Sequence, residues 1–245
     1  MNFIRPLIRK LFPEKFRPFI KTLMYYGKRV ECPCCGVCFR KFPDYRDRPN
    51  AICPVCGALE RHRLLWLYIK NNTDFLGKKI RLLHFAPEHV LSGLFSSLQN
   101  IQYVNADIAS PRAMIRMDMT NMSFNAETFD AVICSHVLEH IDDDMKAMKE
   151  IYRVLKQKGS AILLQPVDQT REKTFEDPTV IDPQKRKALF GQEDHVRIYG
   201  RDIIIRIEKA GLSVSIEDYP FRFSHDLAER YGLHKDNQIY ICNKI

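Results

Sequence analysis

Glycine is scarce in this chain of 245 residues: there are 10, about 4% where ~7% is usual. That excludes a collagen-like repeat and any fold built on recurrent glycine-rich loops. No apolar run approaches the ~18 uncharged residues of a membrane-crossing helix, so no transmembrane helix is expected. Charge of one sign is almost lacking outside one segment. Residues 1–30 hold eight Lys and Arg against Glu14, a net of +7 out of +8 for the whole chain. The remaining residues are close to neutral, which excludes a polycationic body that binds nucleic acid over its whole surface. No secretory pattern is seen either, because charge interrupts the N-terminal apolar residues every few positions. A cytoplasmic protein is expected.

The composition that is present, 45% apolar and 28% charged, suits one α/β domain plus a small module. Three parts are expected. Residues 1–30 form a basic amphipathic segment, 31–77 a zinc ribbon with a connecting helix, and 78–245 the main domain. In the first, Phe3, Ile4, Leu7, Ile8, Leu11 and Phe12 recur at helical spacing, broken by Pro13 and Pro18. Basic charge beside an apolar stripe predicts a peripheral contact with the inner membrane face. A terminal helix packed on the body is the alternative.

Six of the eight cysteines fall within residues 32–56. Cys32-Pro33-Cys34-Cys35-Gly36 and Cys53-Pro54-Val55-Cys56-Gly57 repeat one phrase, C-P-x-C-G, with seventeen residues between Cys35 and Cys53. Two thiolates at C-x-x-C spacing grip one side of a tetrahedral ion, and this separation is the one read as zinc. The ligands assigned are Cys32, Cys35, Cys53 and Cys56. Cys34 and Cys38 are spare, and His62 is a reserve ligand or a polar contact. Four protein ligands leave no position for water, so the zinc is structural.

From residue 78 strand-like and helix-like runs alternate. Strands are expected at 81–85, 101–107, 113–118, 129–134, 161–165, 212–216 and 238–242. Helices are expected at 59–70, 90–98, from an N-cap at Asp142 to Lys158 before Gly159, and at 203–210 with Gly211 as its stop. This order predicts a mostly parallel sheet covered on both faces, ending in an antiparallel hairpin. The charged insert from Arg171 to Arg186 is expected to be a mobile lid.

The run Phe129-Asp130-Ala131-Val132-Ile133-Cys134-Ser135-His136-Val137-Leu138-Glu139-His140-Ile141, followed by Arg153-Val154-Leu155-Lys156-Gln157-Lys158-Gly159, resembles the strand-4 to strand-5 region of class I S-adenosylmethionine-dependent methyltransferases of the methyltransferase-11-like branch. With the cysteine module and Leu83-His84-Phe85-Ala86-Pro87-Glu88, the chain is also similar to bacterial zinc-ribbon methyltransferases. The resemblance implies a Rossmann-like α/β domain with a seven-stranded class I methyltransferase sheet. It implies S-adenosyl-L-methionine as cofactor beside the structural Zn2+. The implied cofactor contacts are His84, Phe85, Ala86 and Glu88 in the first loop, Asp107 on the ribose, Asp118 and Met119 at the adenine, and Ser135 near the sulfonium. The first loop departs from the family, with Glu88 standing where G-x-G is usual. Its carboxylate is expected to replace the lost backbone contact by reaching the cofactor.

His136 and His195 are the candidate general bases, with His140 and Asp194 beside them. The expected activity is methyl transfer to a small-molecule or glycan-type acceptor. The alternative is a zinc-ribbon RNA methyltransferase or a non-catalytic RNA-binding module. It is disfavoured because basic residues in the ribbon do not alternate with exposed aromatics, and because strand 5 ends Gln165-Pro166-Val167-Asp168 rather than N/D-P-P-Y/F.

Overall fold

The computed structural model describes residues 22–46, 48–234 and 238–245. Residues 1–21, which carry the apolar stripe and six of the eight basic residues of the N-terminal segment, lie outside the described residues, so the expected membrane contact does too. In chain order the elements are β1 (Tyr26–Glu31), β2 (Cys38–Phe39), α1 (Glu60–Asn72), β3 (Ile80–Phe85), α2 (His89–Ser96), β4 (Ile101–Asp107), β5 (Ile115–Arg116) and β6 (Phe129–Ser135). They continue as α3 (Asp144–Val154), β7 (Leu155–Leu164), β8 (Phe175–Glu176), α4 (Pro183–Phe190), β9 (Arg197–Ile198), α5 (Ile203–Lys209), β10 (Ser213–Glu217), α6 (His225–Tyr231) and β11 (Ile239–Asn243). No helix among the described residues is long and apolar enough to cross a membrane.

The chain divides into two compact units. One comprises Met1–Thr73 with Tyr219–Asp236, the other Asp74–Asp218 with Asn237–Ile245. In the larger unit seven strands lie in the order β10-β11-β7-β6-β3-β4-β5. β3, β4, β5, β6 and β7 are parallel, and β11 pairs antiparallel with both β7 and β10. The central runs Ile80–Phe85 and Phe129–Ser135 are buried almost throughout, as parallel strands covered on both faces must be. α3 adds Ala147, Met148, Ile151 and Val154, and α5 adds Ile203 and Ile207, to one apolar core. The expected seven-stranded fold with a terminal hairpin is therefore the one found.

Several boundaries differ for physical reasons. The N-cap of α3 is Asp143, whose carboxylate accepts from the Lys146 amide at 2.9 Å, rather than Asp142. α3 ends at Val154, and Leu155 to Lys158 begin β7 instead of closing the helix. There Leu155 pairs with Phe129, and its carbonyl accepts from the buried Lys244 ammonium at 2.9 Å. The third expected strand shrinks to β5, because the Met114 amide turns away to the Asn105 side chain. The insert is structured. β8 pairs with β9, and α4 starts at an Asp182 cap with proline in its first turn. Beyond α4, His195, Arg197 and Tyr199 are buried, so this end of the insert is core rather than lid.

In the smaller unit β1 pairs antiparallel with β2, and the knuckles lead into α1. Its organising group is Arg63, which is fully buried. The guanidinium donates to the carbonyls of Ala51 and Ala58 at 2.8 and 2.9 Å and to those of Tyr231 and Gly232 at 2.7 and 2.8 Å. It also stacks on Phe42, 4.1 Å from the ring centroid. Gly232 has a φ of +58°, and a Cβ there would meet Arg63 Nη2 and Phe42 at 2.8 Å. One planar fork thus joins the cysteine-rich segment to a stretch some 170 residues later. Lysine has no fork and cannot reach four carbonyls. Arg63→Lys is expected to cost about 3 kcal/mol or more, since each charge-assisted bond is worth roughly 1.5–3 kcal/mol. Urea unfolding followed by far-UV circular dichroism checks it, and a shift within error would show that the fork is dispensable.

Candidate functional site

Among the described residues, two places gather most of the side chains expected to carry chemistry. The first is the pair of cysteine knuckles. In each, the amide of the glycine donates back to the carbonyl of the first cysteine, Gly36 to Cys32 at 2.8 Å and Gly57 to Cys53 at 3.0 Å. Both glycines have positive φ, +71° and +76°, the left-handed conformation that glycine adopts at no steric cost. The turns aim four sulfurs at one point. Cys32 Sγ lies 3.6 Å from Cys56 Sγ, and Cys35 Sγ 3.7 Å from Cys53 Sγ. Thiolates held ~2.3 Å from one tetrahedral zinc stand about 3.8 Å apart, so the spacing fits that ion. Hydrogen bonds from neighbouring thiols, Cys34 foremost, hold Cys32 down to about 4. The Cys34 sulfur also lies 3.9 Å from the His62 carbonyl. His62 Nδ1 accepts from the Leu59 amide at 3.2 Å at the start of α1, so it closes a helix end.

The second place is a cavity of about 400 Å³ at the carboxyl ends of the parallel strands, within the range of ligand pockets. It opens where the chain order reverses between β3 and β6, the position at which open α/β sheets take ligands. Its lining includes Phe85 and Ala86 after β3, Asp107 and Ile108 after β4, and Asp118 and Met119 after β5. Val137, His140 and Ile141 line it from the loop after β6. Asp107 Oδ1 accepts from the amides of Ala109 and Ser110, both at 2.7 Å. Those bonds fix the carboxylate while Oδ2 carries no hydrogen bond from the described residues. Asp118 Oδ1 is set in the same way by the Thr120 amide at 2.8 Å.

The first loop explains how the chain manages without G-x-G. Ala86 has a φ of +47°, so it takes the turn that a glycine would, with the smallest side chain that carries a Cβ. The conformation costs a non-glycine residue about 1–2 kcal/mol. Glu88 is not among the residues that line the cavity. Its Oε2 lies 3.0 Å from His84 Nε2, and His84 Nδ1 lies 3.0 Å from the Tyr103 hydroxyl. A carboxylate only accepts, so Nε2–H donates to Glu88 and Nδ1 of the neutral ring accepts from the Tyr103 hydroxyl, whose pKa burial pushes up to about 12. His84 is fully buried and supports the loop from beneath. Ser135 is buried at the end of β6, outside the cavity lining.

After Ser135 the chain makes a second left-handed residue, His136 at φ +55°. Its Nδ1 lies 3.2 Å from Glu139 Oε1. The His140 and His195 rings meet edge to face with centroids 4.7 Å apart. Of the two candidate bases, His136 lies next to this loop and His195 is buried, its Nδ1 3.1 Å from the Phe190 carbonyl. Burial lowers the pKa of His195, which keeps the imidazole neutral.

Sequence reasoning missed what holds the loop. Arg197 donates to the carbonyls of Leu138 at 2.9 Å, Ile141, and Asp142 at 2.8 Å, and to Glu176 at 2.8 Å. Asp144, also buried, takes Arg206 Nη2 at 2.6 Å and the Tyr199 hydroxyl at 2.7 Å. An arginine in a polar, charge-rich insert gives no sequence sign that it is buried.

Residues 83–163 match the model of the family described as "Methyltransferase domain". An uncharacterized protein of Methanocaldococcus jannaschii is 43% identical over 164 residues, which cover 67% of this chain and 61% of that one. The chain therefore spans about three-fifths of the length of that curated relative. Among solved structures, an S-adenosylmethionine-dependent methyltransferase from Mesorhizobium loti is similar with a TM-score of 0.51 and 12% identity, covering 74% of this chain and 97% of that one. Another from Archaeoglobus fulgidus has a TM-score of 0.50 and 15% identity, over 74% and 91% of the two chains. At such identities the likeness is one of fold, and the strand order agrees with it. The family match runs across β3 to β7, and the cavity lies at the switch point of a seven-stranded sheet whose strand order these folds share.

Proposed function

We propose that the protein is an S-adenosylmethionine-dependent methyltransferase acting on a small-molecule or glycan-type acceptor. The observation that carries the reading is the pair of carboxylates, Asp107 and Asp118, at the ends of consecutive strands and in the lining of one cavity. When bound, the cofactor supplies an electrophilic methyl group on a sulfonium. The chain's part is to bind and orient, since in-line approach of the acceptor dominates such a reaction. Asp107, locked by two amides, suits the paired hydroxyls of a ribose. Exposed Ile108 offers an apolar surface beside it, and Met119 lines the same wall. The left-handed turn at Ala86 supports close approach of the β3 loop, the service that glycine performs elsewhere. Glu88, bonded to His84, serves the loop rather than the ligand.

The smaller unit is proposed to hold one structural zinc on Cys32, Cys35, Cys53 and Cys56. The sulfur spacing supports it. The RNA reading is weaker. A groove in this unit is lined by Arg29, Arg40, Lys41 and Arg230, but Asp226 and Glu229 share it. Arg230 also pairs with Glu31 at 2.8 Å. Local neutralisation of this kind opposes phosphate binding.

Two experiments test these readings. Calorimetric titration with S-adenosylmethionine should show binding by the full chain, and Asp107→Ala should weaken it by about 1.5–3 kcal/mol, roughly tenfold or more. Ala86→Val should abolish it, because a β-branched residue is poorly tolerated at positive φ. No binding by the unsubstituted protein at millimolar cofactor contradicts the function, and unchanged affinity in Asp107→Ala contradicts the ribose role. Elemental analysis should find one zinc per chain, lost in a Cys53→Ser, Cys56→Ser double variant. Full retention of zinc by that variant would rule out the four-cysteine site.

A further inference from the structure

The side chain of Glu139 is fully buried, and among the described residues neither carboxyl oxygen has a well-aligned hydrogen bond, the nearest donor being His136 Nδ1 at 3.2 Å from Oε1. A buried polar group left in that state costs about 1–3 kcal/mol, and native proteins rarely leave one unexplained. Nor is it a side chain caught in a mobile surface loop. The Glu139 carbonyl accepts from the Val196 amide at 2.9 Å, and Arg197 pins the carbonyls on either side.

What surrounds the carboxyl is a set of metal donors. One donor atom from each of Glu139, His140 and His195 falls within 4.8 Å of the others. The tautomers of the two histidines are prepared for coordination. His140 Nδ1 lies 3.2 Å from both the carbonyl and a carboxylate oxygen of Asp194. His195 Nδ1 lies 3.1 Å from the Phe190 carbonyl. Each Nδ1–H is thereby donated outward, which leaves the Nε2 lone pair for an ion. Anchoring of the remote nitrogen to a carbonyl or carboxylate is the usual support of a metal-bound histidine. His136 lies beside the group, its Nδ1 3.2 Å from Glu139 Oε1, and its left-handed backbone is the kind of strain that gathers at functional sites.

We propose that Glu139, His140 and His195, with His136 beside them, form a divalent-cation site distinct from the four-cysteine cluster. Imidazoles with one carboxylate favour borderline ions such as Mn2+, Fe2+, Co2+, Ni2+ or Zn2+. Three protein donors leave coordination positions open, unlike the closed thiolate site. His140 is a third exposed and lines the cavity, so those positions face the space where the acceptor of the proposed reaction would lie. Insofar as that reaction is correct, the site selects an acceptor that reacts through oxygen, because an oxygen can enter the coordination sphere.

The test separates this site from the other zinc and from the methyltransferase reading. The full chain, shown by elemental analysis to carry one Zn2+ and no second ion, is titrated calorimetrically with Mn2+, Co2+ and Ni2+ in turn, without cofactor. At least one ion should bind with a stoichiometry of about one and raise the melting temperature. Glu139→Gln and His195→Gln should each weaken binding roughly tenfold or more, and His136→Gln supplies a third reading if either fails to fold. Absence of binding by every ion, or equal binding by the substituted chains, would overturn the site. Titration with S-adenosylmethionine in the same samples reads the other claim. Cation binding without cofactor binding leaves the site and removes the proposed function, and the converse removes the site alone.

Discussion

The carboxyl-end loop of β6 depends on one buried cation. Arg197 is 3% exposed and spans Leu138, Ile141 and Asp142 with bonds to three carbonyls, while Glu176 takes its Nε. Burial opposes its charge, but Tyr199, Asp144 and Glu176 outweigh burial and raise its pKa. Removal of such a buried, paired charge typically costs about 3–5 kcal/mol. Three consequences meet at this guanidinium. It fixes the cavity wall at Val137, His140 and Ile141. It holds Glu139 away from solvent with no well-aligned hydrogen bond among the described residues. It leads into the N-terminus of α3, where Asp144 binds Tyr199 and Arg206, so that α5 is tied to the same loop.

The same device, an arginine fork closed over backbone carbonyls, appears in both compact units. Arg63 unites distant segments around the cysteine knuckles, and Arg197 unites the insert with the β6 loop. In both, sequence-distant carbonyls that would otherwise be buried without partners are gathered by one planar group with five donors. The forks account for how segments with little regular structure stay defined. The cysteine knuckles are set by glycine turns and sulfur spacing. The cavity is set by strand ends, with Ala86 and His136 in left-handed conformations at neighbouring strand ends to turn the chain sharply.

Local, periodic features were legible in the sequence. Continuous apolar runs gave β3, β4 and β6 within a residue or two, because a parallel strand buried on both faces can hardly be written otherwise. The C-P-x-C-G repeat carries its own turn chemistry, so the four sulfurs were expected where they are found. Asp107 and Asp118 were expected from their place at strand ends, and both line the cavity. What the sequence hid was set by tertiary partners. The helical phrase from Leu155 to Gly159 became strand because Phe129 and Lys244 take its backbone. The charged insert read as a lid, yet it buries His195, Arg197 and Tyr199. Glu88 and His84 were expected at the ligand, and their 3.0 Å contact with each other, extended to Tyr103, was not foreseen. The stretch 219–236 carried no sign that it folds with residues 1–73, since the bonds that join them, from Arg63, Tyr219 and Arg230, are all between residues far apart in sequence.

The central claim is that the Arg197 fork holds the β6 loop in the geometry that forms the cavity. The most direct measurement is amide hydrogen exchange across residues 137–147 in the full chain and in Arg197→Gln, with cofactor titration on the same samples. The account predicts faster exchange confined to this loop and the start of α3, with at least roughly tenfold weaker S-adenosylmethionine binding, while the amides of β3, β6 and β7 keep their protection. Unchanged exchange and unchanged affinity in Arg197→Gln would contradict it.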